Sequence, residues 1–166
     1  MNVQSIQAWR VSKTLLAEAQ AKAKKMGRLE GSILKGQGNV AGFIGKMILY
    51  GVIKEKFPEV KYLSSNNIVL NGKKIAVRVK QRTVDPQMHF NCSVTLASLK
   101  KEKFDFFAFC QIDEKMETLW TLGFITWDRF LKEGITLHKG EKDGQFTVKE
   151  DCKNIQIKDL DREILI

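Results

Sequence analysis

Six cations, Lys61, Lys73, Lys74, Arg78, Lys80 and Arg82, fall between residues 60 and 84, and no Asp or Glu interrupts them. A divalent metal needs oxygen ligands that usually include carboxylates, so this stretch would repel one; phosphate it would attract. The chemistry it suits is electrostatic capture of a polyanion. Ile75, Val77 and Val79 alternate with Ala76, Arg78 and Lys80, so a strand here carries β-branched residues on one face and cations with one very small side chain on the other. With Gln81 beside them, and with Lys100, Lys101 and Lys103 further along, these residues form the candidate contact set: Lys73, Lys74, Arg78, Lys80, Gln81, Arg82, Lys100, Lys101 and Lys103.

Other reactive constellations are sparse. His89 and His138 are the two histidines, and neither belongs to a metal-ligand or Cys–His motif. His89 lies close to Cys92 in sequence, but nothing in the spacing brings the two side chains together, and a structural histidine is the expected role. Asp85, Glu102, Asp105 and Glu117 are the carboxylates that a relocated metal site would draw on. Trp120, Trp127 and Tyr62 are the aromatic residues expected to be exposed and able to stack on bases; Phe104, Phe106, Phe107 and Phe109 read as core.

The elements that must position these residues follow from periodicity. Residues 67–70 and 74–80 are apolar, β-branched runs joined at Asn71-Gly72, a dipeptide tolerant of positive φ, which predicts a β-hairpin. Before it, residues 6–26 place Val11, Leu15, Ala19, Ala23 and Met26 at steps of three and four, predicting an amphipathic helix whose Lys13, Lys22, Lys24 and Lys25 face solvent or phosphate. A glycine-rich stretch follows, without the phosphate-loop sequence. Residues 40–53 are apolar nearly all round and predict a buried helix carrying Lys46, ended by Phe57 ahead of Pro58. Residues 81–94 read as a polar loop and 104–112 as a central strand buried on both faces. A turn at 113–115 leads to a strand over 117–125 and a short helix from Thr126 to Leu131. Strand-like pieces at 135–138 and 145–148 precede an acidic tail containing Asp159, Asp161 and Glu163. The expected fold is α+β, two helices followed by a mixed sheet, in one domain divided as 1–57, 58–150 and a tail from 151 to 166.

Composition sets the outer bounds. The chain has 166 residues, 43% of them hydrophobic, enough to build a core without disulfides or metal. Cys92, Cys110 and Cys152 are odd in number and widely spaced, as expected of reduced, buried thiols in the cytoplasm. The N-terminal residues lack the pattern of a secretory signal. A net charge of +9 points to nucleic acid, and the spread of cations over strands as well as helices argues against a membrane surface.

From Ser32 to Ile125 the order of elements resembles the restriction-endonuclease-like, or PD-(D/E)XK, nucleases, particularly small stand-alone members carried by phages and microbes. The resemblance rests on SILKGQGNVAGFIGKMI, NNIVLNGKKIAVRVKQRT and FDFFAFCQI. It implies a mixed sheet flanked by helices, with Mg²⁺ held by a helix carboxylate, an Asp and the Glu of a Glu-x-Lys pair. Those positions carry Lys46, Asn67 and Ala76 here, with Arg78 at the lysine. The implied function is that of a catalytically inactive nuclease relative that binds nucleic acid, DNA first, without a cofactor. Two alternatives stand beside it: an active Mg²⁺-dependent deoxyribonuclease with a relocated site, and an interaction component of a viral or other nucleoprotein assembly, with a protein partner or a second copy of the chain.

Overall fold

The computed structural model of the chain describes residues 6–26, 37–63 and 67–164. It is an α+β fold built around a six-stranded mixed sheet. The glycine-rich stretch from 27 to 36 lies outside the described residues.

The first element is a strand, β1 (Gln7–Arg10), where the sequence pattern predicts the start of a helix. Helix α1 (Lys13–Met26) begins only after Ser12, whose hydroxyl accepts the amide of Leu15 at 3.1 Å, and this side-chain cap sets the boundary. Helix α2 (Gln37–Lys56) follows and closes with the Phe57 amide donating to Ile53 O at 2.7 Å, ahead of Pro58. Strands β2 (Lys61–Tyr62), β3 (Ile68–Leu70) and β4 (Lys73–Gln81) form an antiparallel meander. Its β3–β4 turn holds Asn71 at φ 51° and Gly72 at φ 74°, the left-handed pair that the dipeptide was expected to supply.

The chain then leaves the sheet. β5 (Asn91–Thr95) takes up the end of what reads in sequence as a loop over 81–94, and α3 (Leu96–Lys101) follows it, with Thr95 Oγ1 capping α3 through the Ser98 amide at 3.2 Å. Strand β6 (Phe106–Ile112) returns parallel to β4, from Ile75 opposite Phe106 to Gln81 opposite Ile112, and is buried throughout. β7 (Thr118–Thr126) pairs antiparallel with β6 and, on its other side, with β1. The sheet order is therefore β1-β7-β6-β4-β3-β2.

Helix α4 (Trp127–Glu133), capped by Thr126, leads to β8 (Ile135–Leu137) and a short hairpin of β9 (Lys142–Asp143) and β10 (Phe146–Thr147). Strand β11 (Cys152–Gln156) lies inside the expected tail and is the middle strand of a second sheet, β5-β11-β8. A 3-10 turn at Ile157–Asp159 follows, and Asp161 then bridges to Phe124 on the edge of β7.

Two cores result, one on each face of the large sheet. Alternation along β6 makes this possible: Phe106, Ala108, Cys110 and Ile112 pack against α1 and α2, while Phe107 and Phe109 pack under the second sheet and α4. Trp127 belongs to this second core. It is 7% exposed and stacks on Phe107 at 5.4 Å, so it offers no face to a base. Trp120 and Tyr62, also expected as exposed stackers, are half-buried against the two cores.

Candidate anion-binding cleft

The expected contact residues fall into two groups, divided by their place along β4. Lys73 and Lys74 lie at its start, beside the hairpin turn. There the Lys74 amide donates to Asp105 Oδ2 at 2.8 Å, and the Lys74 ammonium pairs with Glu102 at 3.4 Å. Because β6 begins at the same end, Lys100 and Lys101 in the last turn of α3, with Lys103 just after it, gather there too, all exposed. This is a solvent-facing cationic rim.

Arg78, Lys80 and Arg82 form the second group, and their setting differs from the open strand face expected of them. The second sheet covers that face, so Ala76 is 4% exposed among apolar side chains and Arg78 is half-buried. Between the layers the three cations, with Asn91, Ser93 and Gln111, line a cavity of about 110 Å³. The Arg82 guanidinium sits 4.5 Å from the centre of the Phe90 ring and donates to Asn91 O at 3.2 Å. No salt bridge or hydrogen bond among the described residues engages the side chains of Arg78 or Lys80. Gln81 is committed elsewhere: its Nε2 donates to Glu114 O at 3.0 Å and holds the β6–β7 turn.

Charge in this region is held under strain of desolvation. Burial pulls the pKa of Arg78 down, and Glu102 opposes the fall. Burial also lowers Lys80, with Arg82 adding to the fall and Asp143 opposing it. Arg82 is lowered by burial and raised by Asp143. Asp143, which accepts from Asn91 Nδ2 at 2.9 Å, is thus the carboxylate nearest in effect to Lys80 and Arg82. Unpaired cations gathered in a partly dry cleft are costly to folding, and such cost concentrates at sites that serve a ligand.

The positions carried over from the nuclease pattern are arranged around a fork. β3 pairs with β4 only as far as Ile68 opposite Ile75, so Ala76–Gln81 run on with no described strand on that side. Asn67 stands one residue outside the last pair. Lys46 projects from α2, its ammonium 5.5 Å from the centre of the Phe43 ring, and its pKa is lowered by burial and by the charge of Arg78. Where the pattern requires three acids around a metal, this fork holds two cations, an amide and a buried methyl.

The carboxylates proposed for a relocated metal site do not converge. Glu102 and Asp105 flank the start of β6, whereas Glu117 follows its far end, roughly 20 Å away along seven residues of strand. Asp85 is also at the far end, next to Val84, whose carbonyl accepts from Gln111. No cluster of three metal-ligating side chains occurs among the described residues.

The histidines and thiols are equally dispersed. His89 is exposed and lies edge-on to Phe90 at 5.0 Å, while His138 is 3.7 Å from Asp151. All three cysteines are buried and unpaired, and burial pushes the Cys92 thiol up to about 12, which removes it as a nucleophile. A larger cavity, about 450 Å³, opens between α2, β7 and the C-terminal segment. The Arg162 that lines it is occupied by carbonyls, including Leu122 O at 2.7 Å and Ile157 O at 3.2 Å.

Residues unforeseen in sequence complete the interlayer cleft. Asn91 and Ser93 come from β5, and Ser93 is oriented by a short hydrogen bond from its hydroxyl to Asn154 Oδ1. Gln111 is the lone polar residue of a strand otherwise wholly apolar, a signal that was visible. No described helix is long and apolar enough to cross a membrane. Comparison with protein-family models, curated proteins and solved structures finds no match to this chain.

Proposed function

We propose that the chain binds nucleic acid through its phosphates and does not cleave it. The observation that carries this reading is the pair Arg78, half-buried, and Lys80, exposed, which line the interlayer cleft without a hydrogen-bonded or ion-paired partner among the described residues. Such cations gain from a polyanion what they lack within the fold. The rim of Lys73, Lys100, Lys101 and Lys103 extends the same potential over the surface, where it raises encounter rates with DNA. Replacement of the three acids of the nuclease pattern by Lys46, Asn67 and Ala76 removes both the metal ligands and their repulsion toward phosphate.

The test is fluorescence anisotropy on labelled duplex and single-stranded DNA over a salt series, with Mg²⁺, Mn²⁺ or EDTA, read in parallel with a cleavage gel. Binding that falls steeply with salt, is indifferent to EDTA and leaves the DNA intact is the expected result. Arg78→Gln with Lys80→Gln should lower the salt slope by about two. Metal-dependent cutting would overturn the inactive assignment, and a salt slope unchanged in the double variant would overturn the assigned contacts.

A further inference from the structure

We propose that the cavity between the two sheets binds one protonated phosphate group, either free orthophosphate or the terminal monoester of a nucleic-acid strand. The inference does not rest on nucleic-acid binding, since the cavity alone carries it.

Gln111 supplies the observation independent of charge. It is 1% exposed and lines the cavity, its Nε2 donating to Val84 O at 2.8 Å while its Oε1 has no partner among the described residues. A buried carbonyl oxygen without a donor is costly, so the cavity is completed by something that brings an N–H or O–H. Turning the amide over would set Oε1 against Val84 O, acceptor facing acceptor, and so would satisfy neither.

Lys80 and Gln111 are direct partners across the parallel β4–β6 pair, so acceptor and cation stand side by side on the same face. The ligand must therefore present anionic oxygens to Arg78 and Lys80 and a hydroxyl to Gln111. A phosphate that retains a P–OH does both, orthophosphate at neutral pH and a terminal monoester below its second pKa of about 6; sulfate has the same shape and no proton to give. Size agrees, because about 110 Å³ admits a tetrahedral oxyanion, whereas sites for drug-sized ligands start at roughly 300 Å³.

The neighbouring groups are consistent with an anion. Cys92 lines the cavity as a neutral thiol, since burial pushes it up to about 12. Asp143 is the carboxylate that competes for Lys80 and Arg82, so its removal should strengthen binding.

Titration calorimetry on the full chain, at fixed ionic strength, should show orthophosphate binding at least ten-fold tighter than sulfate. Gln111→Met should erase that preference while leaving sulfate unchanged. Arg78→Gln should weaken both anions, and Asp143→Asn should tighten both. Equal affinity for the two anions in the wild-type chain would overturn the proposal, as would a phosphate preference that survives Gln111→Met. Should Gln111→Met fail to fold, the side-chain amide resonance of Gln111 in the wild type serves instead: a shift with phosphate and none with sulfate supports the site, and equal or absent shifts refute it. At a pH of about 6, where the terminal monoester holds a proton in a large share of molecules, competition by 5′-phosphorylated but not 5′-hydroxyl oligonucleotides would assign the site to strand ends. Displacement of phosphate by neither oligonucleotide would assign it to free orthophosphate, and this outcome leaves the salt-dependent binding test to be decided separately.

Discussion

Gly45 of α2 lies against the Cγ2 methyl of Val79 on β4, so close that a Cβ at position 45 would overlap it, with Val77 Cγ1 at 3.5 Å. The helix backbone is thereby seated on the strand that carries Arg78 and Lys80. Lys46, the next residue, lies close enough to Arg78 for its charge to be felt.

Gly45→Ala should therefore destabilise the fold by about 1–2 kcal/mol, overpacking outweighing a helix-propensity gain of up to ~1 kcal/mol. Val79→Ala alone also destabilises, by loss of apolar burial. Combined, the two substitutions should cost less than their sum, because the second makes room for the first. Urea unfolding of the four forms measures the coupling, and strict additivity would refute the contact.

Lys46→Met should separate stability from binding. Burial and the charge of Arg78 hold the Lys46 pKa below 10.5, so the folded state binds this proton less readily than the unfolded chain. Its contribution to stability therefore rises with pH as the group titrates below 10.5. Replacement by Met removes the penalty at neutral pH and should stabilise by a few tenths to about 1 kcal/mol after allowance for solvent screening. In the same variant, affinity for DNA should fall. Thermal unfolding and anisotropy on one preparation give both readouts; a loss of stability at pH 7 would contradict the assignment.

The buried thiols set the alkaline limit of the fold. Cys92 and Cys110 are shifted from 9.0 to about 12, so above pH 9 the unfolded chain loses two protons that the native state keeps. The native state then binds more protons, and stability declines as pH rises from 9 towards 12. Denaturation midpoints at pH 8, 9, 10 and 11 should fall less in the Cys92→Ala/Cys110→Ala variant than in the wild type. At pH 8 a thiol reagent should label both positions only as fast as the protein opens.

Local signals in the chain specified most of the elements near the site. Asn71-Gly72 sets the hairpin turn, the alternation from Ile75 to Lys80 divides β4 into an apolar and a cationic face, and the length and apolarity of 104–112 mark a strand buried on both sides. Less legible were elements stabilised by partners distant in sequence. β1 is four residues long and exists through β7, more than 100 positions away; β5 and β11 are five residues each, with mixed composition, and hold one another. Their propensity is weak, and pairing overrides it.

The sequence by itself determined which residues are charged, which strand carries them and that no Asp or Glu falls between residues 60 and 84. Only the tertiary structure decided that the cationic face lies beneath a second sheet, that Gln81 and Trp127 are committed to the fold, and that Arg78, Lys80 and Gln111 share one cavity. The physical reason is that alternation assigns a side chain to a face, whereas what covers that face depends on contacts between segments far apart in the chain.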